Sequence, residues 1–260
     1  MNPVRIAAII PARMASSRFP GKPLLEIRGL PMVEHVRRRA LRCRGFSEVV
    51  VATCDQEIAD VIQRQGGRWI LTSPTHAAAS DRVCEAMQQL DCTHVVNVQG
   101  DELLVLPADL EKMVAAMAQE PSVAAWNAVA PIIGIQELSD PSVVKCVLST
   151  SGRILCCSRD FSHLNLKLSA QTGFGPLRRI LGILGYRRDF LQRYGMLART
   201  PLERMEAIDQ SRIIEHDVLL QGIEFQKGYP GINEPREVSL IEQYLAEDPL
   251  QQSMLHEILA

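Results

Sequence analysis

The sequence lacks an excess of charge of either sign. Its 260 residues include 28 Lys plus Arg and 30 Asp plus Glu, which gives a formal net charge of -2 at pH 7. Proteins that bind nucleic acid through its phosphates usually carry a strong basic surplus, so nucleic acid is not expected as a main partner. Hydrophobic residues make up 47% and charged residues 22% of the chain. This composition excludes dominant disorder and allows a large buried core.

Long apolar runs and paired cysteine motifs are also absent. No apolar segment has the length of a signal peptide or a membrane span, so we expect a cytoplasmic protein without a membrane partner. The seven cysteines are odd in number and scattered, and no C-x-x-C pair occurs. We therefore expect reduced, buried thiols rather than a zinc or disulfide site.

Short apolar runs alternate with stretches of helical spacing. This alternation predicts an α/β fold, with a mainly parallel twisted sheet, helices on both faces and a smaller strand-rich subregion in the second half. We predict first-half strands at 6–10, 48–53, 68–71 and 93–98, and helices at 32–41, 56–65, 80–90 and 108–118, with Ser80 capping the third. In the second half we predict strands at 123–129, 143–148, 154–157, 180–186 and 223–226, helices at 202–215 and 235–245, and a long loop at 160–176.

The most informative motif follows the first predicted strand. It runs from Pro11 to Leu24 and reads PARMASSRFPGKPL, where an open α/β sheet places its ligand crevice. Small residues let the backbone approach a phosphate chain, and Arg13, Arg18 and Lys22 supply three cations for a triphosphate. Neither a G-x-G-x-x-G nor a G-x-x-x-x-G-K-S/T motif occurs, which argues against dinucleotide binding and P-loop hydrolysis.

A second motif is the acidic end of the strand predicted at 93–98. The sequence from Asn97 to Glu102 reads NVQGDE. Magnesium in nucleotidyl transfer is usually held by one or two carboxylates together with substrate phosphates, and a strand end is a rigid mount for such a ligand. Asp101 is therefore the candidate metal ligand.

Together the two motifs resemble the nucleotide-sugar pyrophosphorylase superfamily, and specifically the CMP-Kdo synthetases, which activate 3-deoxy-manno-octulosonate (Kdo) with CTP. The resemblance covers most of the chain. It continues through Val51-Ala52-Thr53, Val144-Lys145, Ser158-Arg159, Gly182-Ile183, Gly185-Tyr186-Arg187, and Ile208-Asp209-Gln210 with Arg212. It implies a nucleotide-diphospho-sugar transferase fold, transfer of CMP from CTP to an acidic acceptor with release of pyrophosphate, Mg²⁺ as cofactor, a homodimer, and a place in lipopolysaccharide biosynthesis.

The resemblance also implies roles by position. Arg13, Lys22 and Asp101 would be catalytic. The nucleotide would be bound by Ala12, Arg13, Arg18, Lys22, His76, Ser80, Arg82 and Gln99, the metal by Asp101 and Asn233, and the acceptor by Arg159, Tyr186, Arg187, Asp209 and Gln210. We expect a single domain over 1–260, with a nucleotide-binding part at 1–130, an acceptor and oligomerisation part at 131–230, and a closing segment and tail at 231–260.

The chain departs from the family pattern at several of these positions. Asn233 stands where the family has an aspartate that completes magnesium coordination, so we expect a higher magnesium requirement. The Ser-Gly step before Arg82 and a histidine linked to sugar binding are missing, and Asp209 replaces a glutamate. These changes leave two alternatives open: a cytidylyltransferase for a small phosphonate such as phosphonoformate, and a nucleotide-binding paralogue without catalysis.

Overall fold

The computed structural model describes residues 3–15, 19–76, 78–162 and 173–260. Within these ranges lie the strands β1 (Ile6–Ala12), β2 (Glu26–Ile27), β3 (Leu30–Pro31), β4 (Phe46–Thr53), β5 (Arg68–Leu71), β6 (His94–Val98), β7 (Ala125–Pro131), β8 (Lys145–Leu148), β9 (Ile154–Ser158), β10 (Leu177–Arg187) and β11 (Leu220–Glu224). The helices are α1 (Met32–Arg42), α2 (Gln56–Arg64), α3 (Ala79–Met87), α4 (Pro107–Gln119), α5 (Arg188–Tyr194), α6 (Pro201–Glu206), α7 (Asp209–Glu215), α8 (Val238–Glu247) and α9 (Pro249–Leu259).

The chain divides into two compact units. The first contains Met1–Ala115 and Tyr229–Ala260, and the second contains Ala116–Gly228. The expectation of one domain over 1–260 stays a prediction. None of the helices in the described ranges is long and apolar enough to cross a membrane.

The first unit is built on four parallel strands. β1 pairs with β4 and β6, and β4 pairs with β5, so that the order is β6-β1-β4-β5. Every residue of β1 and β6 is buried, which is typical of parallel strands covered on both faces. Helices α1, α2 and α3 pack against these strands. The mainly parallel fold predicted from the sequence is confirmed.

The second unit carries the antiparallel strands. β7 pairs in parallel with β11 and in antiparallel with β10, and β10 and β9 both pair in antiparallel with β8. A strand-rich second half was expected, but α5 and the short β2–β3 hairpin of the first unit were not. The long loop predicted at 160–176 is described only at its ends, because 163–172 lie outside the described residues.

The single helix predicted at 202–215 is two helices. α6 ends at Glu206, and Ala207 has a φ of 52°, in the left-handed region that helices do not use. Arg159 explains the break, since its guanidinium donates to the carbonyls of Glu206 at 2.7 Å and Ala207 at 3.1 Å. These carbonyls are held by a tertiary contact that helical periodicity does not reveal.

A buried ion pair joins the two resulting helices. Arg212 of α7 donates through Nε and Nη2 to the two carboxylate oxygens of Glu203 in α6, and both side chains are 4% exposed. The guanidinium also lies over the Tyr194 ring, 4.6 Å from its centroid. Burial alone would raise the pKa of Glu203, but its hydrogen bond and ion pair with Arg212 hold that pKa below its usual value.

The C-terminal segment of the first unit forms α8 and α9. The tail from Glu247 to Ala260 carries apolar residues at near-helical spacing, and its helix α9 packs against α1. Ile258 and the polar Gln251 are its buried residues, whereas Leu250 and Leu259 are more than two-fifths exposed. The buried face of α9 is therefore partly polar.

Candidate active site

A cavity of about 280 Å³ lies at the carboxyl ends of β1 and β6, inside the first unit. This is the position at which open α/β sheets bind ligands. Its walls are formed by Pro11, Ala12, Arg13, Lys22, Pro23, Met32, His76, Ala78, Ala79, Arg82, Gln99, Gly100 and Asp101. The structure thus brings together seven residues that the sequence predicted for one site: Ala12, Arg13, Lys22, His76, Arg82, Gln99 and Asp101.

The loop after β1 is shaped by one glycine and one distant carboxylate. Gly21 has a φ of 76°, and its N–H donates to the carbonyl of Met14 at 3.1 Å. A side chain at this position would be strained. The Met14 N–H donates to Asp55 Oδ2 at 2.7 Å. Asp55 precedes α2 and is a contributor that sequence reasoning missed. The predicted phosphate ligand Arg18 lies outside the described residues.

Lys22 and Asp101 form the polar centre of the cavity. Lys22 Nζ donates to Asp101 Oδ2 at 2.9 Å and to the carbonyl of Ile232 at 2.6 Å. The Lys22 side chain is 14% exposed and the Asp101 side chain is 23% exposed, so both remain accessible. A cation and a carboxylate from separate loops are therefore fixed together in the cavity wall.

Two glycines allow the backbone to come this close. A Cβ at Gly100 would lie 3.0 Å from the carbonyl oxygen of Pro11, which brings the end of β1 against the loop after β6. A Cβ at Gly231 would lie 3.1 Å from the carbonyl oxygen of Asp101. The predicted metal ligand Asn233 follows two residues later and is partly exposed. Its segment therefore lies beside the Asp101 backbone.

Arg82 is held rigidly in the cavity wall. It is 3% exposed, and its Nη1 donates to Thr72 Oγ1 while its Nη2 donates to Cys54 Sγ at 3.4 Å. Thr72 in turn donates through its hydroxyl to the carbonyl of Thr53 at 3.1 Å. These partners fix the direction of the guanidinium, although neither belongs to a motif found in the sequence.

His76 pairs with Glu85 of α3. Its Nε2 contacts Glu85 Oε2, which also accepts the N–H of Ser73 at 2.9 Å. Burial alone would raise the pKa of Glu85, but these hydrogen bonds and the nearby charges of His76 and Arg82 hold that pKa below its usual value. The loop before α3 is therefore anchored to the helix itself.

Ser80 does not have the predicted capping position. α3 begins at Ala79, after Ala78 in extended conformation, and Asp81 Oδ2 accepts the Ala78 N–H at 3.3 Å. The prediction of Ser80 as the helix cap is wrong, because Asp81, in the first turn of α3, accepts the N–H of the residue before the helix. The Ser80 hydroxyl is buried and has no partner among the described residues.

The predicted acceptor residues all belong to the second unit. Gln210 is 8% exposed, and its Nε2 donates to Asn127 Oδ1 at 2.8 Å. Asn127 is fully buried, and its Nδ2 donates to the carbonyls of Ala128 at 2.7 Å and Leu181 at 3.0 Å. Because both carbonyls require a donor, the orientation of the Asn127 amide is fixed, and so is that of Gln210. No chemistry was attached to Asn127 in the sequence.

The other acceptor candidates have partners within the chain. Arg159 bonds the carbonyls at the α6–α7 break and that of Pro141, and Arg187 bonds Asp189 with both Nε and Nη2. Tyr186 is 1% exposed, and burial raises the pKa of its phenol well above the usual value. The backbone carbonyl of Asp209 accepts the Tyr194 hydroxyl at 3.1 Å.

The fold and the cavity together define an α/β nucleotidyltransferase, with cations and a carboxylate at the ends of parallel strands. A family model described as cytidylyltransferase matches residues 7–225. The chain belongs to the cytidylyltransferase family, and within it to the 3-deoxy-manno-octulosonate cytidylyltransferases, also called CMP-Kdo synthetases.

Relatives and a solved structure carry this assignment. The 3-deoxy-manno-octulosonate cytidylyltransferase of Syntrophotalea carbinolica is 37% identical over 92% of this chain and 98% of its own length. The enzyme of the same name from Myxococcus xanthus is 39% identical over 93% and 97%. A solved CMP:2-keto-3-deoxy-manno-octonic acid synthetase, complexed with CTP, superposes with a TM-score of 0.87 at 33% identity, covering 94% of this chain and 99% of that one.

Proposed function

We propose that the chain transfers CMP from CTP to Kdo, releases pyrophosphate, and thereby serves lipopolysaccharide biosynthesis. The observation that carries the proposal is the cavity at the ends of β1 and β6, where Lys22 and Asp101 are in contact. The names of the relatives support CTP and Kdo as substrates. The altered acceptor residues do not by themselves favour the phosphonate alternative or a paralogue without catalysis.

On the nucleotide side, Arg13, Arg18 and Lys22 are proposed to hold the triphosphate. Arg13 is exposed at the cavity, so its guanidinium is accessible to an anionic ligand. Gln99 and the rigidly held Arg82 are proposed to contact the cytidine, with His76 and Ser80 in the adjoining wall. An arginine side chain fixed by two partners loses little conformational entropy when a ligand binds, which favours the binding of a polar ligand.

The proposed chemistry needs no protein nucleophile. An acceptor hydroxyl attacks the α-phosphorus of CTP in line, a P–O bond to the acceptor forms, and the P–O bond to pyrophosphate breaks. Lys22 and Arg13 neutralise the charge that develops on the phosphate oxygens, while the rigid strand ends keep the reactants aligned. The hydroxyl proton passes to solvent or to the departing pyrophosphate.

Magnesium is proposed as the cofactor, and the residues present fit it. Asp101 offers a carboxylate oxygen, and Asn233 offers an amide oxygen in the segment that Gly231 allows to lie beside Asp101. Magnesium sites typically use few oxygen donors from the protein, and phosphates and water complete the coordination. When bound, the ion supplies positive charge to the phosphates. A neutral amide attracts a cation less than a carboxylate does, so we expect a raised magnesium requirement.

On the acceptor side, Gln210 is the residue that we propose to contact Kdo directly. Its amide is oriented by Asn127, which leaves the Gln210 oxygen available to a hydroxyl donor. Asp209, Tyr186, Arg159 and Arg187 are proposed to shape the surrounding surface. The guanidinium of Arg159 already bonds backbone carbonyls and that of Arg187 bonds Asp189, so we expect both to act through the backbone that they hold.

The test is pyrophosphate release from CTP and Mg²⁺ with a panel of acceptors: Kdo, 8-amino-Kdo, sialic acid and phosphonoformate. Release that is fastest with Kdo supports the proposal. A preference for phosphonoformate would instead support the phosphonate alternative, and CTP binding without release on any acceptor would support a non-catalytic paralogue. Light scattering on the same protein tests the proposed homodimer, and cell fractionation tests the proposed cytoplasmic location.

A further inference from the structure

The loop that carries Asp101 consists of two successive turns. The Glu102 N–H donates to the carbonyl of Gln99 at 3.0 Å, and the Val105 N–H donates to the carbonyl of Glu102 at 3.1 Å. Leu104 and Val105 are buried, whereas Asp101 is partly exposed in the cavity. The inner end of this loop is therefore buried, and its outer end carries the carboxylate into the cavity.

Two side chains, from helices that are far apart in the sequence, hold that inner end. Gln251 of α9 donates through Nε2 to the carbonyl of Leu104 at 2.8 Å, and Arg39 of α1 donates through Nη1 to the carbonyl of Val105 at 3.2 Å. Both side chains are fully buried. Consecutive carbonyls of the Asp101 loop are thus bound from both helices.

Burial imposes a cost on the remaining polar atoms of these two side chains. Arg39 Nε and Nη2 and Gln251 Oε1 are buried without a hydrogen-bond partner among the described residues. Burial lowers the pKa of the Arg39 guanidinium to about 10, so it stays protonated at neutral pH. Apolar side chains at both positions would avoid this desolvation penalty. Among the described residues, the side-chain hydrogen bonds of Gln251 and Arg39 go to this loop.

The helix that carries Gln251 is itself fixed to α1. Arg38 donates to the carbonyl of Ile258 and Arg42 to that of Glu257, each at 2.6 Å. Cations at the last carbonyls of a helix are favourable partners of its dipole. One end of α9 is therefore clamped on α1, and the other end reaches the Asp101 loop through Gln251.

We propose that Gln251 and Arg39 are positioning residues that hold the Asp101 carboxylate in its working place, which makes the C-terminal helix part of the scaffold of the active site. The inference rests on the proposed function, since Asp101 is placed in the catalytic machinery there. A positioning residue acts on turnover and on the magnesium requirement while leaving the affinity for CTP nearly unchanged.

The experiment compares Gln251→Met with Gln252→Met in the full chain. Methionine has nearly the size of glutamine but no donor, and Gln252 is exposed on the same helix. In Gln251→Met we expect turnover to fall and the half-saturating Mg²⁺ concentration to rise, each by about tenfold, with the KM for CTP within about twofold. Gln252→Met should match the wild type. Arg39→Met should shift the same parameters in the same direction.

Hydrogen exchange provides a readout that does not depend on turnover. We expect the Glu102 and Val105 amides to lose about tenfold in protection in Gln251→Met and to keep it in Gln252→Met. If Gln251→Met does not fold, Gln251→Asn keeps an amide with too short a reach and should show the same losses. If the wild type turns over no acceptor, the proposed function fails. Hydrogen exchange and the Mg²⁺ dependence of CTP binding then still test this inference. Unchanged protection and Mg²⁺ dependence, or a change in melting temperature alone, would overturn it.

Discussion

Replacing Lys22 by methionine removes one cation from the cavity and keeps most of the volume of the side chain. The change breaks the bonds of Nζ to Asp101 Oδ2 at 2.9 Å and to the Ile232 carbonyl at 2.6 Å. The Asp101 side chain is 23% exposed, so water can replace the bond to its carboxylate, whereas the carbonyl of the fully buried Ile232 loses its donor. We therefore expect a stability loss of about 1–2 kcal/mol, below the cost of breaking a fully buried pair.

The effect on turnover should be larger than the effect on folding. A charge aimed at developing phosphate charge contributes about 3–4 kcal/mol in the transition state, which corresponds to a loss of about 10²–10³ in kcat. The stability loss corresponds to a fall in melting temperature of roughly 2–8 °C for a chain of this size. Most of the Lys22→Met protein should thus remain folded at the assay temperature while its turnover is nearly abolished.

The assay measures pyrophosphate release with CTP, Mg²⁺ and Kdo, alongside thermal unfolding of the same samples. Lys112→Met is the matched control, because Lys112 Nζ also bonds a carboxylate, that of Asp109 at 2.7 Å, but does not line the cavity. The control should keep wild-type turnover. Turnover of Lys22→Met within about threefold of the wild type, or an equal loss in the control, would refute the role given to Lys22.

Three further predictions concern other parts of the chain. Asn233→Asp should lower the half-saturating Mg²⁺ concentration several-fold, since a carboxylate binds the cation more strongly; no change in a magnesium titration would count against a ligand role. Asn127→Leu should raise the KM for Kdo about tenfold while leaving that for CTP unchanged, because Gln210 loses the partner that orients it; equal effects on both substrates would contradict this. Glu203→Gln should cost about 2–4 kcal/mol in urea unfolding at neutral pH by leaving the Arg212 charge buried without its partner. The native pKa of Glu203 is depressed, so this stabilisation is present above the unfolded pKa and lost as pH falls through the folded pKa; a difference between the two proteins that persists in acid would oppose the assignment.

The regular part of the fold could be predicted because its pattern is local. Strands β1 and β6 are buried on both faces, so they read as nearly continuous apolar runs, and helix α2 buries one apolar face. The break between α6 and α7 could not be predicted in this way. It depends on Arg159, which lies 48 positions from Ala207 and holds its carbonyl.

In the candidate active site, too, some residues could be predicted from the sequence and others could not. Lys22, Asp101 and Gln99 were found because each lies in a motif directly after a strand, where chain position and spatial position coincide. Asp55 and Thr72 were missed because their roles consist of single hydrogen bonds to the Met14 N–H and to Arg82. Such contacts leave no periodic or spacing signal in the sequence.

The discontinuous first unit has a consequence for the order in which the two units fold. Residues 116–228 are complete when the ribosome reaches Gly228, whereas the other unit still lacks its last segment, Tyr229–Ala260. Lys22 is made early, yet one of its two acceptors, the Ile232 carbonyl, comes 210 residues later. Domains tend to fold as they emerge, so the continuous unit should reach its native state on the nascent chain before the discontinuous unit does. The bond between Lys22 and the Ile232 carbonyl can therefore form only after residue 232 has left the ribosome.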